Sequence, residues 1–239
     1  MTTYIIRRLL LLPVLLVGVT IIIFGMLQFL TPVERSALYI RDIPHGEHAI
    51  EGVITRYGLN DPLPVQYWHW LVGRTDPISG QVVGGILRGD LGYSRVGSQP
   101  VIDLIKQRFP ATLELALWVV LPIIVVGIWL GVQAAVHHNE WFDQFARIFA
   151  IVGASFPTFV FGLLVLMIFY ANLGWFPPGR ISDATSQIIS SPSFKTVTHL
   201  ISIDALINGR FDVFLDVLRH LFLPVLTLSY ISWATFLRV

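Results

Sequence analysis

LLLLPVLLVGVTIIIFGMLQFLTPV, residues 9–33, decides the fold: it is 25 consecutive residues without Asp, Glu, Lys or Arg, between Arg8 and Glu34. A bilayer core of roughly 30 Å takes about 20 apolar residues at a helical rise, and in lipid the backbone has to hydrogen-bond within its own helix. The stretch reads as a transmembrane helix over about residues 9–30. Arg7 and Arg8 precede it as they would a secretory signal, but the run exceeds the roughly 7 to 15 residues of a signal core. No convincing A-x-A cleavage site follows, so the helix reads as uncleaved, with Arg7 and Arg8 in the cytoplasm.

The same test applied along the chain finds uncharged runs of 25 residues between Glu114 and Glu140, 32 between Arg147 and Arg180, and 18 between Arg219 and Arg238. The expectation is an all-α integral membrane protein, a polytopic helix bundle with four spans near 9–30, 112–136, 148–171 and 220–239. Alternation puts loops 31–110 and 173–219 outside and 137–146 inside; Arg7 and Arg8 carry most of that orientation.

Composition agrees and excludes other classes. Of 239 residues 54% are hydrophobic, and the mean hydropathy is +0.71, above that of an ordinary soluble domain. The 16 basic and 15 acidic residues nearly balance, which offers no surface for nucleic acid. Cysteine is absent, which removes disulfides, thiolate metal sites and cysteine nucleophiles.

The long first loop is expected to have structure of its own. Asn60-Asp61-Pro62 is a helix start, and Tyr67, Trp68 and Trp70 after it suit either a bilayer interface or packing against span ends. Ser98 and Pro100 start another helix, with Val101, Leu104 and Ile105 on one face, predicted to lie along the membrane surface and end before Pro110. GGILRGDLG, residues 84–92, lacks the terminal Gly-Lys-Ser/Thr of a phosphate loop and reads as turns. The close histidine pairs, His45 with His48 and His137 with His138, lack the spacing of a helical zinc site. No catalytic, cofactor-binding or metal-ligating residue is assigned, and no cofactor is expected.

Within the spans, Gly127 and Gly131 form a small-xxx-small pattern suited to close helix contact. Pro122 frees the carbonyl of Trp118, and Pro157, flanked by Ser155 and Thr158, frees that of Gly153. Glu114 stands at a span boundary, one turn into a helix predicted to begin after Pro110, where the macrodipole favours a carboxylate.

Blocks along nearly the whole chain carry a resemblance: YIIRRLLLLPVLLVGVTIIIF, YGLNDPLPVQYWHWL, GGILRGDLGYSRVGSQPVIDLIKQRFPATLELAL, NEWFDQFARIFAIVGASFPTFVFGLLV, LGWFPPGR and RHLFLPVLTLSY. In these the chain resembles the B-type permease subunit of dipeptide and oligopeptide ABC importers, whose relatives also carry nickel and some oligosaccharides. Leu87 to Leu117 and Ser155 to Phe159 are the most specific parts, and Thr31-Pro32-Val33-Glu34 departs from the family's usual Pro-Gly-Asp-Pro. The resemblance implies that residues 1–239 are part of an importer's transmembrane domain in the cell (inner, cytoplasmic) membrane. It would form half of a path for a peptide or related solute and be driven by separate ATPases. The implied partners are a second homologous permease subunit, two ABC ATPase subunits, an extracytoplasmic solute-binding protein and membrane lipid. It also implies that the parent gene continues past Val239 with a basic cytoplasmic segment and two further spans.

The competing class is an ion-coupled secondary transporter, which paired acidic residues or an inverted repeat within the spans would favour; neither is seen. A membrane-embedded hydrolase would need a polar cluster at membrane depth, and no span contains Asp, Lys or Arg apart from Arg238 at the end of the fourth.

Overall fold

The computed structural model describes residues 2–36, 39, 49–77, 79–94 and 96–237, so His45 and His48 lie outside the described residues. The chain is mostly helical and divides into two compact units, Met1–Gln107 and Arg108–Val239.

The first unit begins with α1, Thr2–Leu27, 26 residues with Pro13 inside. No part of its most apolar stretch is buried within the chain. A reciprocal cap follows: Thr31 N donates to Glu34 Oε2 at 2.7 Å and Glu34 N to Thr31 Oγ1 at 3.3 Å, starting the short α2, Pro32–Ser36. The residues that depart from the family pattern thus build a helix start of their own. Helix α3, Ala49–Tyr57, precedes α4, Leu63–Val72, which begins directly after Pro62 as its sequence signals. Tyr67 and Trp70 of α4 pack on Phe24 of α1 at 5.4 and 5.8 Å between ring centroids, while Trp68 is exposed.

Beyond α4 are two small antiparallel pairs, β1 (Arg74–Thr75) with β2 (Val82–Val83) and β3 (Tyr93–Ser94) with β4 (Gln99–Pro100). The glycine cluster between them forms turns and one 3-10 turn, Ile86–Arg88. Gly85 has φ +102, and a Cβ there would stand 2.7 Å from the Gly73 nitrogen, so the backbone needs glycine at this approach.

Helix α5, Val101–Val136, is 36 residues long and continuous through Pro110 and Pro122; the division between units falls within it. This corrects the predicted surface helix ending before Pro110. A proline removes one intrahelical bond, and helical turns already formed on both sides outweigh that loss. Residues 148–171, expected as one span, are not one continuous helix. They fall into α6 (Trp141–Ser155), α7 (Thr158–Leu166) and a π-helical end (Met167–Asn172), with a bend of 104° at the break. Phe156 is extended and Pro157 caps α7, so Pro157 interrupts the helix rather than kinking it.

After α8 (Asp183–Ile189) and α9 (Ile201–Ile207) comes α10, Phe211–Phe236, which starts well before the expected 220. By length and composition two described helices, α1 and α5, suffice to cross a membrane, or three spans if the bent pair is one. Helix α10 is not among them, and it is the packing centre of the second unit. Ala205, Val213, Val217 and Leu221 form the buried core, backed by Leu115, Trp118 and Phe214.

Candidate functional site

Polar groups within an apolar bundle are costly unless paired, so their positions mark what the second unit is built to hold. Glu114 of α5, 1% exposed, receives Arg180 Nη2 at 2.9 Å and the backbone N–H of Ser202 at 2.6 Å. One turn on, Trp118 Nε1 donates to Ser202 Oγ at 3.1 Å. Helix α5 thereby offers an acceptor and a donor to the first turn of α9. Glu114 lies in the fourth turn of α5, not at a helix start, so the macrodipole expectation is replaced by an ion pair and a capped neighbouring helix.

Two further carboxylates order the segment between the π-helical end and α10. Asp204 Oδ1 accepts from Thr198 N and Thr198 Oγ1, both at 2.8 Å, and from Val197 N at 3.2 Å. Asp216 Oδ2 accepts from Ser182 N and Ser182 Oγ, both at 2.9 Å, and Ser182 Oγ in turn caps Thr185 N of α8. Burial pushes the Asp216 carboxyl up, but the Ser182 and Thr185 donors and His220 together hold it below its ordinary value. Arg219 Nε donates to the Trp175 carbonyl at 2.6 Å. The segment expected as an external loop over 173–219 therefore contains α8, α9 and the first turns of α10.

Inside the bundle, α10 lies against glycines of its neighbours. A Cβ at Gly127 of α5 would stand 2.8 Å from Phe236, at Gly153 of α6 2.6 Å from Ala234, and at Gly162 of α7 3.1 Å from Thr227. Among the described residues Gly131 meets nothing within 4 Å, so of the Gly127 and Gly131 pair Gly127 alone makes a close contact there. Tyr230 stacks on Phe161 at 3.9 Å, and Trp233 Nε1 donates to the Pro122 carbonyl at 2.8 Å. Ser229 is fully buried, and its hydroxyl has no partner among the described residues.

At the other end of α6, Asp143 accepts from Arg147 at 2.9 Å and from the Asn139 N–H at 2.9 Å, and both hold its carboxyl below the usual value. His137 Nδ1 donates to the Gln133 carbonyl while His138 Nδ1 faces Asp143 at 3.4 Å, so the adjacent histidines serve different partners. Among the described residues no group of three or more His, Asp or Glu is placed to hold a metal. The carboxylates described here are occupied by donors; what they do is fix a polar segment and the ends of α8, α9 and α10.

Sequence reasoning missed Asp204, Asp216, Gly162 and Ser229, and singled out Gly153 for its carbonyl rather than for its contact with α10. A signal existed for the Glu114 pair, since Glu114 opens the second uncharged run and Arg180 closes the third.

Two family models match in order. Residues 1–116 match the N-terminal part of the binding-protein-dependent transport system membrane component, and residues 95–239 match the binding-protein-dependent transport system inner membrane component. Among curated proteins, the chain is 35% identical to a probable D,D-dipeptide transport system permease protein of Escherichia coli (strain K12), over 90% of this chain and 57% of the relative. It is 32% identical to a dipeptide transport system permease protein of Alkalihalophilus pseudofirmus, over all of this chain and 66% of the relative. A glutathione transport system permease protein of Salmonella typhimurium is 34% identical over 74% of this chain and 53% of the relative. The chain thus spans about 53–66% of the length of these relatives.

Proposed function

Because the chain belongs to the family of binding-protein-dependent transport system inner membrane components, we propose that it is the permease subunit of an ABC importer, forming half of a translocation path for peptides or a related small solute. The match of both halves of the chain, in order, carries this reading. The solutes for which the relatives are named, dipeptide and glutathione, support a peptide-like solute. In this reading residues 1–239 are part of the importer's transmembrane domain, with four spans in the cytoplasmic membrane near 9–30, 112–136, 148–171 and 220–239, drawn from α1, α5, the broken α6–α7 pair and α10. The N-terminus is cytoplasmic, and the segments 31–110 and 173–219 lie outside.

The partners in this reading are a second homologous permease subunit, two ATPase subunits and an extracytoplasmic solute-binding protein. The chain acts as a transport subunit, with ATP hydrolysed by the separate subunits. Alternating access then needs helices that shift against one another, and the glycine contacts of α10 together with the break at Pro157 give such places.

The test is uptake of radiolabelled dipeptides and glutathione in a strain lacking the gene that encodes this chain. Uptake should fall to background and return with the full-length gene. Unchanged uptake of every solute, or uptake that persists without ATP and follows an ion gradient, would overturn the proposal.

A further inference from the structure

The first unit contains a cavity of about 310 Å³ whose lining includes Phe24, Arg35, Tyr39, Tyr57, Gln66 and Trp70. That is the size of a small-molecule site, at the lower end of the roughly 300–1,000 Å³ range of such pockets. Its chemistry centres on Arg35, which is 8% exposed. The guanidinium donates to the side-chain oxygen of Gln28, to Gln66 Oε1 at 2.6 Å and to the Leu59 carbonyl at 3.0 Å. All three acceptors are neutral, and Arg35 Nε is buried without a partner. Arg56, Arg74, Arg147, Arg180 and Arg210 each have a carboxylate within 3.0 Å, whereas among the described residues none pairs with Arg35. A buried cation held by neutral oxygens alone leaves part of its desolvation uncompensated, and an anion in the adjoining cavity would supply the remainder.

The walls narrow the kind of anion. Tyr39 and Tyr57 stack at 4.1 Å, and burial first, then the neighbouring Tyr57, push the Tyr39 phenol above its ordinary value. The Tyr39 hydroxyl therefore stays protonated at neutral pH and can donate. Asp90 also lines the cavity and works against a polyanion. One buried guanidinium, phenol donors and aromatic walls suit a single carboxylate on an apolar body. We propose that this cavity binds a small organic monocarboxylate, with Arg35 supplying the charge and Tyr39 a second donor. The site lies outside the transport reading and is tested by binding alone.

The full-length permease, with its partner subunits, is placed in phosphatidylcholine nanodiscs and titrated with benzoate, using benzamide as the neutral isostere, by calorimetry. Benzoate should bind and benzamide should not. Arg35→Gln should weaken benzoate at least about tenfold, the size of one charge-assisted hydrogen bond. Tyr39→Phe should weaken it by a smaller factor and keeps the aromatic wall, so it decides the matter if Arg35→Gln does not fold. A parallel titration in phosphatidylglycerol nanodiscs separates the sources: unchanged benzoate affinity supports a soluble carboxylate, and competitive loss would assign the site to a lipid headgroup and overturn the proposal. Equal binding of benzoate and benzamide, no binding of either, or wild-type affinity in both variants would also overturn it.

Discussion

Helices α1 and α10 are both 26 residues long, and the chain treats them in opposite ways. Helix α1 carries no charge after Arg8 and buries none of its most apolar stretch within the chain. Helix α10 buries Val213, Val217, His220, Leu221, Leu223, Ser229, Tyr230 and Ala234, carries two acids and an arginine in its first turns, and is touched by α6, α7 and α9. In lipid, apolar side chains gain nothing by meeting each other, so association depends on small residues, close packing and polar ties. Hydropathy therefore detects the helix that faces lipid and underrates the one that organises the bundle.

If the polar frame around α10 bears the load, its removal should have the largest effect. Glu114→Ala leaves the partly exposed Arg180 and the buried Ser202 N–H without their acceptor, and losing charge-assisted hydrogen bonds to a buried carboxylate costs about 3 kcal/mol. Thermal unfolding of the purified protein checks this; a variant as stable as wild type would make the frame incidental. The two helices can be set against each other directly. Val217→Ala, at a fully buried position, should cost about 2 kcal/mol, while Leu16→Ala, 65% exposed in the chain, should stay within about 0.5 kcal/mol. Equal losses in the same unfolding measurement would erase the contrast between α1 and α10.

The glycines sharpen it further. Gly153→Leu pushes a side chain into Ala234 and should cost about 1–3 kcal/mol, whereas Gly131→Leu meets open space within the chain and should leave its own packing unchanged.

How much of this was legible follows from the same contrast. Residues 9–33 announce α1 because burial in lipid needs nothing but apolarity, and Pro62 announces α4 because its start is local chemistry. Pro110 misled, since a breaker is read locally while α5 is held from both sides. The partners of Glu114 stand 66 and 88 positions away, and no local pattern connects such distances. Gly153 and Gly162 carry no motif of their own; only the position of α10 makes them necessary.

Acid offers a smaller perturbation. The Asp216 carboxyl is held below its ordinary value in the folded chain, so the folded state binds fewer protons than the unfolded one. Its contribution is present above the unfolded value of about 4 and is lost as pH falls through the folded one. Asp216→Asn should flatten the acid limb of the stability profile while leaving the neutral region a smaller and pH-independent loss. An unaltered acid limb would show that Ser182 is not held by this charge.

The orientation of the chain in the membrane is tested most directly by cysteine labelling, which the absence of native cysteine makes straightforward. Ser79 lies in the segment between α4 and α5, and Asn139 in the turn between α5 and α6. With a membrane-impermeant maleimide on intact spheroplasts carrying the full-length protein, Ser79→Cys should label and Asn139→Cys should be spared until the membrane is opened. Labelling of Asn139→Cys with protection of Ser79→Cys would contradict the account.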